Sequence, residues 1–457
     1  MQYSTVKIDS LIPASYNPRK IDEESLKYLR ESMAKLGDLI PIIVNKENNV
    51  IIAGHQRTKA MKANGTKDVN VFFVSNVNQA DEIIFNQMHN YQDTDANCEG
   101  YIDESGLDYG FQEVDFNRFT INKANRVIEK EINRIISTYG NVLTAVCCKG
   151  EVIIGNNYVD CCVLRKCNPN VYILPPEKYE MAKYYLLKRY GRFSYDGLKK
   201  ESYVQGTAQP QRKITKDGKM VNKSKLYSTL VFPNLENIRG KRVLDFGAGR
   251  LVWARKLGEF TDVTAVEFFP TDRKSIDVAL GNQLIDYFCK SVERGGLFDY
   301  VINEYVINSV DCKEAEDAVM GCLNAFCKLG GTLYFGTRMI TKLELAERTG
   351  GRLSDSWDAR YFDENLFSGV YREGQWYYQH FHTKESYYKL MEENGFKILE
   401  FEDLDHNAQS ICVKVRELPV DKKIKSIAYE FNLPLPNDKR YNRHEEVIEI
   451  MKRKNLL

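Results

Sequence analysis

A chain of 457 residues, 43 % hydrophobic and 28 % charged, has the composition of folded globular protein and the length of roughly two to four domains. Its 64 Lys and Arg offset 63 Asp and Glu, so the global balance implies no polyanionic partner, and a disordered chain, a collagen and a disulfide miniprotein are excluded. No apolar run approaches the roughly 20 residues that span a bilayer, and Met1 to Lys7 lacks a signal peptide's charged start and apolar core, so a cytoplasmic chain with no membrane partner is expected.

Residues 1–95 mix short strands with helices. Asp22 to Met33 reads as an amphipathic helix with acids in its first turn, stopped by Gly37. Ile40 to Val44 and Val50 to Ile52 read as strands around a turn at Glu47-Asn48-Asn49. Thr58 to Ala63 continues as a helix stopped by Asn64-Gly65, and Val69 to Val74 is a further strand.

Residues 96–187 form a second α+β segment that echoes the first. Glu151-Val152-Ile153-Ile154-Gly155 is similar to Asn49-Val50-Ile51-Ile52-Ala53-Gly54, and Asn170 to Ile173 is similar to Asn70 to Phe73. Setting Gly155 on Gly54 places Asn156, Asn157 and Tyr158 where the first copy has His55, Gln56 and Arg57; a divergent copy and a chance likeness of two short βα units both fit. Eleven cysteines without a secretion signal imply free thiols in a reducing compartment. Cys147-Cys148 and Cys161-Cys162 are adjacent pairs rather than the Cys-x2-4-Cys of zinc loops, so buried thiols are expected.

Charge is uneven along the chain. Residues 69–117 hold no Lys or Arg but many acids, Asp81 to Asp115 among them, and read as a solvated acidic segment. Residues 188–225 hold eleven cationic against three acidic side chains, with Tyr190, Phe193, Tyr195 and Tyr203 interleaved. Cations attract phosphates and aromatic faces stack on unpaired bases, so this linker is a candidate nucleic-acid contact through Lys213, Lys216 and Lys219; the alternative is a basic linker between domains. Residues 226–416 alternate strands and helices, the pattern of a parallel sheet covered on both faces. Residues 417–457 form a tail ending in a helix from about Arg443 to Lys454.

The densest chemical signal lies at 243–268. Val243 to Phe246 is an apolar strand that runs into the turn Gly247-Ala248-Gly249-Arg250, and Leu251 to Leu257 reads as a helix. Glycines there let the backbone pass close to a ligand without a Cβ in the way. The next strand, Val263 to Val266, ends in Glu267, a carboxylate able to accept both hydroxyls of a ribose; it follows Asp245 by 22 residues, where roughly 20 is expected.

Asp245-Phe246-Gly247-Ala248-Gly249, with Glu267 closing the next strand, resembles the class I S-adenosylmethionine-dependent methyltransferases. Phe298 to Asn308 resembles that family's fourth motif, and Lys328 to Phe335 its fifth strand. Glu385 to Gly395, Phe396 to Leu399 and Ile411 to Val415 resemble its final helix and antiparallel hairpin. The resemblance implies a Rossmann-like α/β fold with S-adenosylmethionine as cofactor. Gly247, Ala248 and Gly249 would border its methionine part, Asp245 would act near its amino group, Glu267 would bind the ribose, and Phe268 would pack on the adenine. Leu251 stands where a third glycine is common, and the acid that contacts adenine after the third strand has Asp286 as its candidate. NAD binding would place a glycine three residues after Gly249, where Val252 stands, which favours the methyl donor.

Asn303, Glu304 and Tyr305 fall at the carboxyl end of the fourth strand, where such sheets bind ligands, and are the candidate catalytic residues. Glu304 can take a proton; Asn303 and Tyr305 can orient an amine or hydroxyl. The Asp/Asn-Pro-Pro-aromatic and Pro-Cys sequences of familiar base methyltransferases are absent, which leaves an unusual acceptor or transfer of another group open. Trp357 to His382 is an aromatic-rich insertion; His380 and His382 could hold a metal, but a substrate cover is expected and no metal site is assigned.

Asn17-Pro18-Arg19-Lys20, Leu36 to Val44 and Ile51 to Ala60 occur in order and resemble the ParB/sulfiredoxin-like domain, an α+β fold. The resemblance implies a nucleoside triphosphate on the turn Gly54-His55-Gln56-Arg57, with Gly54, His55, Arg57 and Arg19 on phosphates, and DNA clamping in some members. Sulfiredoxin chemistry needs a cysteine in that turn, and the family's next box is poorly matched by His89-Asn90-Tyr91-Gln92. The reading adopted is a methyltransferase acting on nucleic acid, with DNA modification in a phage or mobile element favoured and a homodimer left open. Its alternatives are a ParB-like binding protein with a cofactor-sensing Rossmann half, and transfer of a non-methyl group to a nucleotide.

Overall fold

The structure, a computed structural model, describes residues 3–91, 98–122, 126–188, 190–198, 224–271, 275–340, 362–372, 374–404 and 406–457. Two compact units emerge. Met1–Leu198, Leu343–Glu364 and Gly369–Trp376 form one; Lys199–Lys342, Asn365–Ser368 and Tyr377–Leu457 form the other.

The first unit opens with β1 (Ser4–Lys7), β2 (Arg19–Lys20), α1 (Glu23–Leu36), β3 (Ile42–Asn45), β4 (Ile51–Ala53), α2 (His55–Ala63), β5 (Asp68–Val74) and α3 (Gln79–Tyr91). Four strands pair in the order β1-β5-β3-β4, with β3 parallel to β5 and antiparallel to β4. Side chains alternate across the pleat. Ile42, Val44, Ile51, Val69 and Val71 fill one core, and Ile43, Ile52, Phe72 and Val74 fill another. Asp22 caps α1 by accepting the Ser25 N–H at 2.7 Å, with Glu23 and Glu24 in the first turn. Helix α2 starts at His55, three residues ahead of the expected Thr58. Gly54, at φ 101°, turns the chain out of β4 and lets the helix open at once.

A second sheet follows in the same unit. It is built from β6 (Glu99–Ile102), β7 (Gly110–Glu113), β8 (Phe119–Asn122), β9 (Ala145–Cys148), β10 (Glu151–Ile154) and β11 (Asn170–Ile173), in the order β7-β11-β9-β10-β6-β8. Helices α4 (Arg126–Tyr139), α5 (Asn156–Arg165) and α6 (Tyr179–Leu186) accompany it, and β12 (Arg192–Phe193) pairs with β2. The first four places repeat the connectivity of the first sheet. β9 is parallel to β11 and antiparallel to β10, β7 is antiparallel to β11 as β1 is to β5, and Gly155 opens α5 at φ 90° as Gly54 opens α2. Cys147 and Cys148 face different cores across β9. Cys161 and Cys162 are neighbours on the helix α5. All four are buried free thiols, and burial pushes Cys148 and Cys161 up to about 11.

In the second unit β13 (Arg242–Phe246), α7 (Val252–Gly258), β14 (Asp262–Val266), α8 (Val278–Gly295), β15 (Phe298–Glu304), α9 (Lys313–Phe326) and β16 (Cys327–Arg338) alternate. β17 (Phe367–Arg372), β18 (Gln375–His380), α10 (Lys384–Glu393), β19 (Phe396–Asp403), β20 (Asn407–Lys414), α11 (Val420–Glu430) and α12 (His444–Arg453) follow. The sheet order is β14-β13-β15-β16-β20-β19; the first four strands are parallel and β20 is antiparallel to both neighbours. Leu244, Phe246, Val301, Leu333 and Phe335 point into the larger core, and Val243, Ile302 and Tyr334 into the smaller one. Such burial on both faces is what an apolar parallel strand requires. Among the described residues no strand stands between β14 and β15. Asp286, the candidate adenine acid, sits inside α8 and pairs with Arg443 at 2.6 Å instead. No helix among the described residues is long and apolar enough to cross a membrane.

Candidate functional site

The carboxyl ends of β13, β14 and β15 open onto a cavity of about 450 Å³, within the range of small-molecule sites. Asp245, Gly247, Ala248, Gly249, Glu267, Phe268, Glu304 and Tyr305 all line it. Gly247 has φ 87°, and a Cβ there would stand 2.2 Å from Val306 Cγ2, so nothing larger fits. At Gly249 a Cβ would meet nothing within 4 Å. The turn is therefore closed on its protein side and open on its cavity side. Leu251 adopts φ 60° at the entry of α7, where glycine would be free of strain; its buried side chain holds a conformation that costs roughly 1–2 kcal/mol.

Glu267 reaches back to this turn. Its Oε2 accepts the Gly249 N–H at 2.6 Å and its Oε1 the Phe269 N–H at 2.8 Å. Burial pushes the carboxyl up to about 7, with the two amides opposing. Asp245 is buried and its Oδ2 accepts the Tyr227 hydroxyl at 2.6 Å. The Phe268 ring borders the cavity from within the core, edge-on to Phe431 at 5.2 Å between centroids. A nucleoside with a charged amino-acid tail fits this donor set: two carboxylates converge on a glycine turn whose outer face is open.

The three candidate catalytic residues separate. Asn303 is fully buried and donates from Nδ2 to the Phe246 carbonyl at 2.9 Å, tying β15 to β13 away from the cavity wall. Glu304 faces the cavity, with Oε1 accepting the Ser224 hydroxyl at 2.6 Å. Tyr305 also faces it, at φ 60°, pinned by its N–H to the Gly336 carbonyl at 2.7 Å. A bulky residue in the left-handed region marks stored strain of a kind that clusters at functional sites.

Sequence reasoning missed other walls of this cavity. Arg338 and Asn407 come from the ends of β16 and β20, and Tyr429 and Glu430 from the end of α11. The apolar spacing Val420, Ile424, Ile427, Phe431 was the available signal for α11. Burial, then Asp311, push the Glu430 carboxyl up to about 8, so it carries a proton at neutral pH and can donate. His380 and His382, expected in a substrate cover, are each 3 % exposed and lie beside Glu316 of α9. Residues 357–361 of that insertion, together with Lys213, Lys216 and Lys219, lie outside the described residues.

The first unit holds its own cavity, of about 400 Å³. Arg19, Gly54, His55 and Arg57 line it together. Burial, then His89 and Lys20, push His55 down to about 4, so it meets a ligand as a neutral ring. Its Nε2 accepts the Ala14 N–H at 3.2 Å, which leaves the proton on Nδ1. Arg57 donates to the Ile40 carbonyl, and Gln56 to the Arg19 carbonyl at 2.7 Å. Thr144, Asn156 and Asn157 of the second sheet's segment line the same cavity, and Thr144 Oγ1 and Asn156 Oδ1 are buried without a hydrogen-bond partner. His89 and Asn90 of the poorly matched box line it too; Gln92 lies outside the described residues.

Residues 1–91 match the family model of the ParB N-terminal domain, and residues 223–400 match that of a methyltransferase domain. The "probable chromosome-partitioning protein ParB" of Campylobacter jejuni is 40 % identical over 74 residues, 16 % of this chain and 27 % of the relative; the chain thus spans about a quarter of that protein's length. Among solved structures, an S-adenosylmethionine-dependent methyltransferase from Clostridium acetobutylicum is similar at 13 % identity and a TM-score of 0.29, over 42 % of this chain and 92 % of that one. The chromosome-partitioning protein ParB from Caulobacter crescentus, complexed with CTP-gamma-S, is similar at 25 % identity and a TM-score of 0.20, over 21 % of this chain and 57 % of that one. The chain joins an α+β ParB N-terminal domain to a methyltransferase domain of Rossmann-like α/β fold.

Proposed function

We propose that the chain transfers a methyl group from S-adenosylmethionine to nucleic acid, with DNA the favoured acceptor, and that its N-terminal unit binds a nucleoside triphosphate. The observation that carries the first part is one cavity that brings the Asp245–Gly249 turn and Glu267 together with Glu304 and Tyr305. Bound there, S-adenosylmethionine supplies an electrophilic methyl group on a sulfonium. Glu267 would hold the ribose hydroxyls, and Asp245, braced by Tyr227, would face the amino group. Glu304 stands at the strand end as the group able to receive an acceptor proton, and Tyr305 orients the acceptor's lone pair along the transfer axis. The ParB N-terminal domain match and the cationic run of 188–225 support a nucleic-acid acceptor.

In the first unit, Gly54, His55, Arg57 and Arg19 would contact phosphates, with amides at the start of α2 adding to the charge of Arg57. Residues 96–187 read as a divergent copy of the first module. Its Thr144 and Asn156 supply the uncharged polar wall against which a base or sugar would rest.

Label transfer tests the enzymatic part. With tritiated S-adenosylmethionine, DNA should take up label at least about tenfold above a Glu304→Gln protein, a modest share of the 10²–10⁴ that a positioned acid or base contributes. Label in RNA or mononucleotides instead would redirect the acceptor. Label in none of them, with the cofactor bound, would leave a cofactor sensor.

A further inference from the structure

We propose that Glu316, His380 and His382 form a binding site for one divalent transition-metal ion of the zinc class. Their ligand atoms converge in the core of the second unit, all within 4.8 Å of one another. Glu316 Oε1 lies 3.2 Å from His380 Nδ1 and 3.2 Å from His382 Nε2. Those three atoms are buried and lack a hydrogen-bond partner. A charge-assisted bond between imidazolium and carboxylate would draw in to roughly 2.7–2.9 Å. Ligands held at about 2.0–2.1 Å on a tetrahedral ion stand roughly 3.3 Å apart, close to the 3.2 Å from Glu316 Oε1 to each of the two imidazole nitrogens.

The neighbouring groups fix which nitrogen of each ring carries the proton. His380 Nε2 lies 3.0 Å from the Asn365 carbonyl, which can only accept, so in the neutral ring the proton is on Nε2 and Nδ1 presents a lone pair. Ser386 Oγ donates to the Thr383 carbonyl and accepts the Thr383 N–H at 2.9 Å. It must therefore accept from His382 Nδ1, 3.3 Å away, and His382 Nε2 presents a lone pair as well. Two bare nitrogens aimed at a carboxylate oxygen repel one another unless a cation sits between them. Outer partners that set tautomer and ring orientation are also what metal-ligating histidines ordinarily have.

The scaffold is rigid at each corner. Phe367 stacks on His380 at 4.0 Å between ring centroids, and the His382 carbonyl accepts the Ile340 N–H at 2.8 Å. Lys313 holds the other oxygen of Glu316, which leaves Oε1 for the ion. Two imidazoles and one carboxylate suit Zn²⁺ and leave a fourth position for a water. Ala315 and Val319, on the same helix as Glu316, line the cofactor cavity, so an ion here would brace that wall.

The test uses the full chain without a polyhistidine tag, stripped with a chelator and desalted, then titrated with ZnCl₂ and with CoCl₂. One equivalent of Zn²⁺ should bind, Co²⁺ should develop the visible absorption of a tetrahedral site, and Zn²⁺ should raise the unfolding temperature. Glu316→Gln and His382→Gln should each weaken binding at least tenfold and remove the thermal gain. A wild-type chain that stays folded after stripping and takes up neither ion overturns the proposal whatever the variants do. Folded variants that bind as tightly as the wild type overturn it equally.

Discussion

Replacing Glu267 with alanine is expected to weaken S-adenosylmethionine binding at least about a hundredfold. Two hydroxyl bonds to a carboxylate are worth roughly 1.5–3 kcal/mol each, and each 1.4 kcal/mol is about a factor of ten. The pH dependence carries a sign that separates this role from a structural one. With its carboxyl raised to about 7 from an ordinary 4.5, the ionised form that accepts a diol is depleted as pH falls below about 7. Wild-type affinity should then fall by up to about tenfold per pH unit on the acid side and level off above. Ligand-free stability should move the other way: a raised carboxyl favours the protonated fold, so stability is lost as pH rises from about 4.5 through about 7. Glu267→Gln should flatten both curves, as calorimetry and thermal unfolding against pH will read. An affinity independent of pH across that window would remove Glu267 from the ribose.

Arg57→Ala should abolish triphosphate binding by the first unit, by at least about fiftyfold, since charge-assisted contacts of one guanidinium are worth roughly 1.5–3 kcal/mol. CTP is the first probe, with ATP, GTP and UTP beside it. Arg57 also offsets the burial that raises the Asp38 carboxyl, so alanine leaves that acid less compensated and lowers stability. Arg57→Lys keeps the charge there but not the fork, and should retain the fold while losing most of the affinity. Undiminished binding to a folded Arg57→Lys protein, with unchanged nucleotide preference, would place the phosphates elsewhere.

Much of this architecture was written in local patterns. The alternation of Ile42, Ile43 and Val44, and of Val243, Leu244 and Phe246, announces strands buried on both faces, and Gly247 and Gly249 announce a tight turn, with no room for a Cβ at the first of them. The wall residues from distant segments were not legible. Arg338, Asn407 and Glu430 meet only because β16, β20 and α11 end at one edge of the sheet. Asn303 misled because it sits next to Glu304 on a strand, where neighbours point to opposite faces. Glu316 gave no signal at all: it follows Lys313 and Glu314 like any residue of a charged first turn, and its burial against two histidines depends on the insertion that follows β16. The start of α2 was misplaced because Gly54 acts as a left-handed cap, a role that composition does not distinguish from a loop glycine.

Titration calorimetry of the full chain with S-adenosylmethionine tests the central claim most directly. One molecule should bind per chain with a Kd on the order of 1–100 μM, displaced by S-adenosylhomocysteine and unaffected by NAD. No saturable heat, or displacement by NAD instead, would contradict a methyl-donor site over Asp245–Gly249.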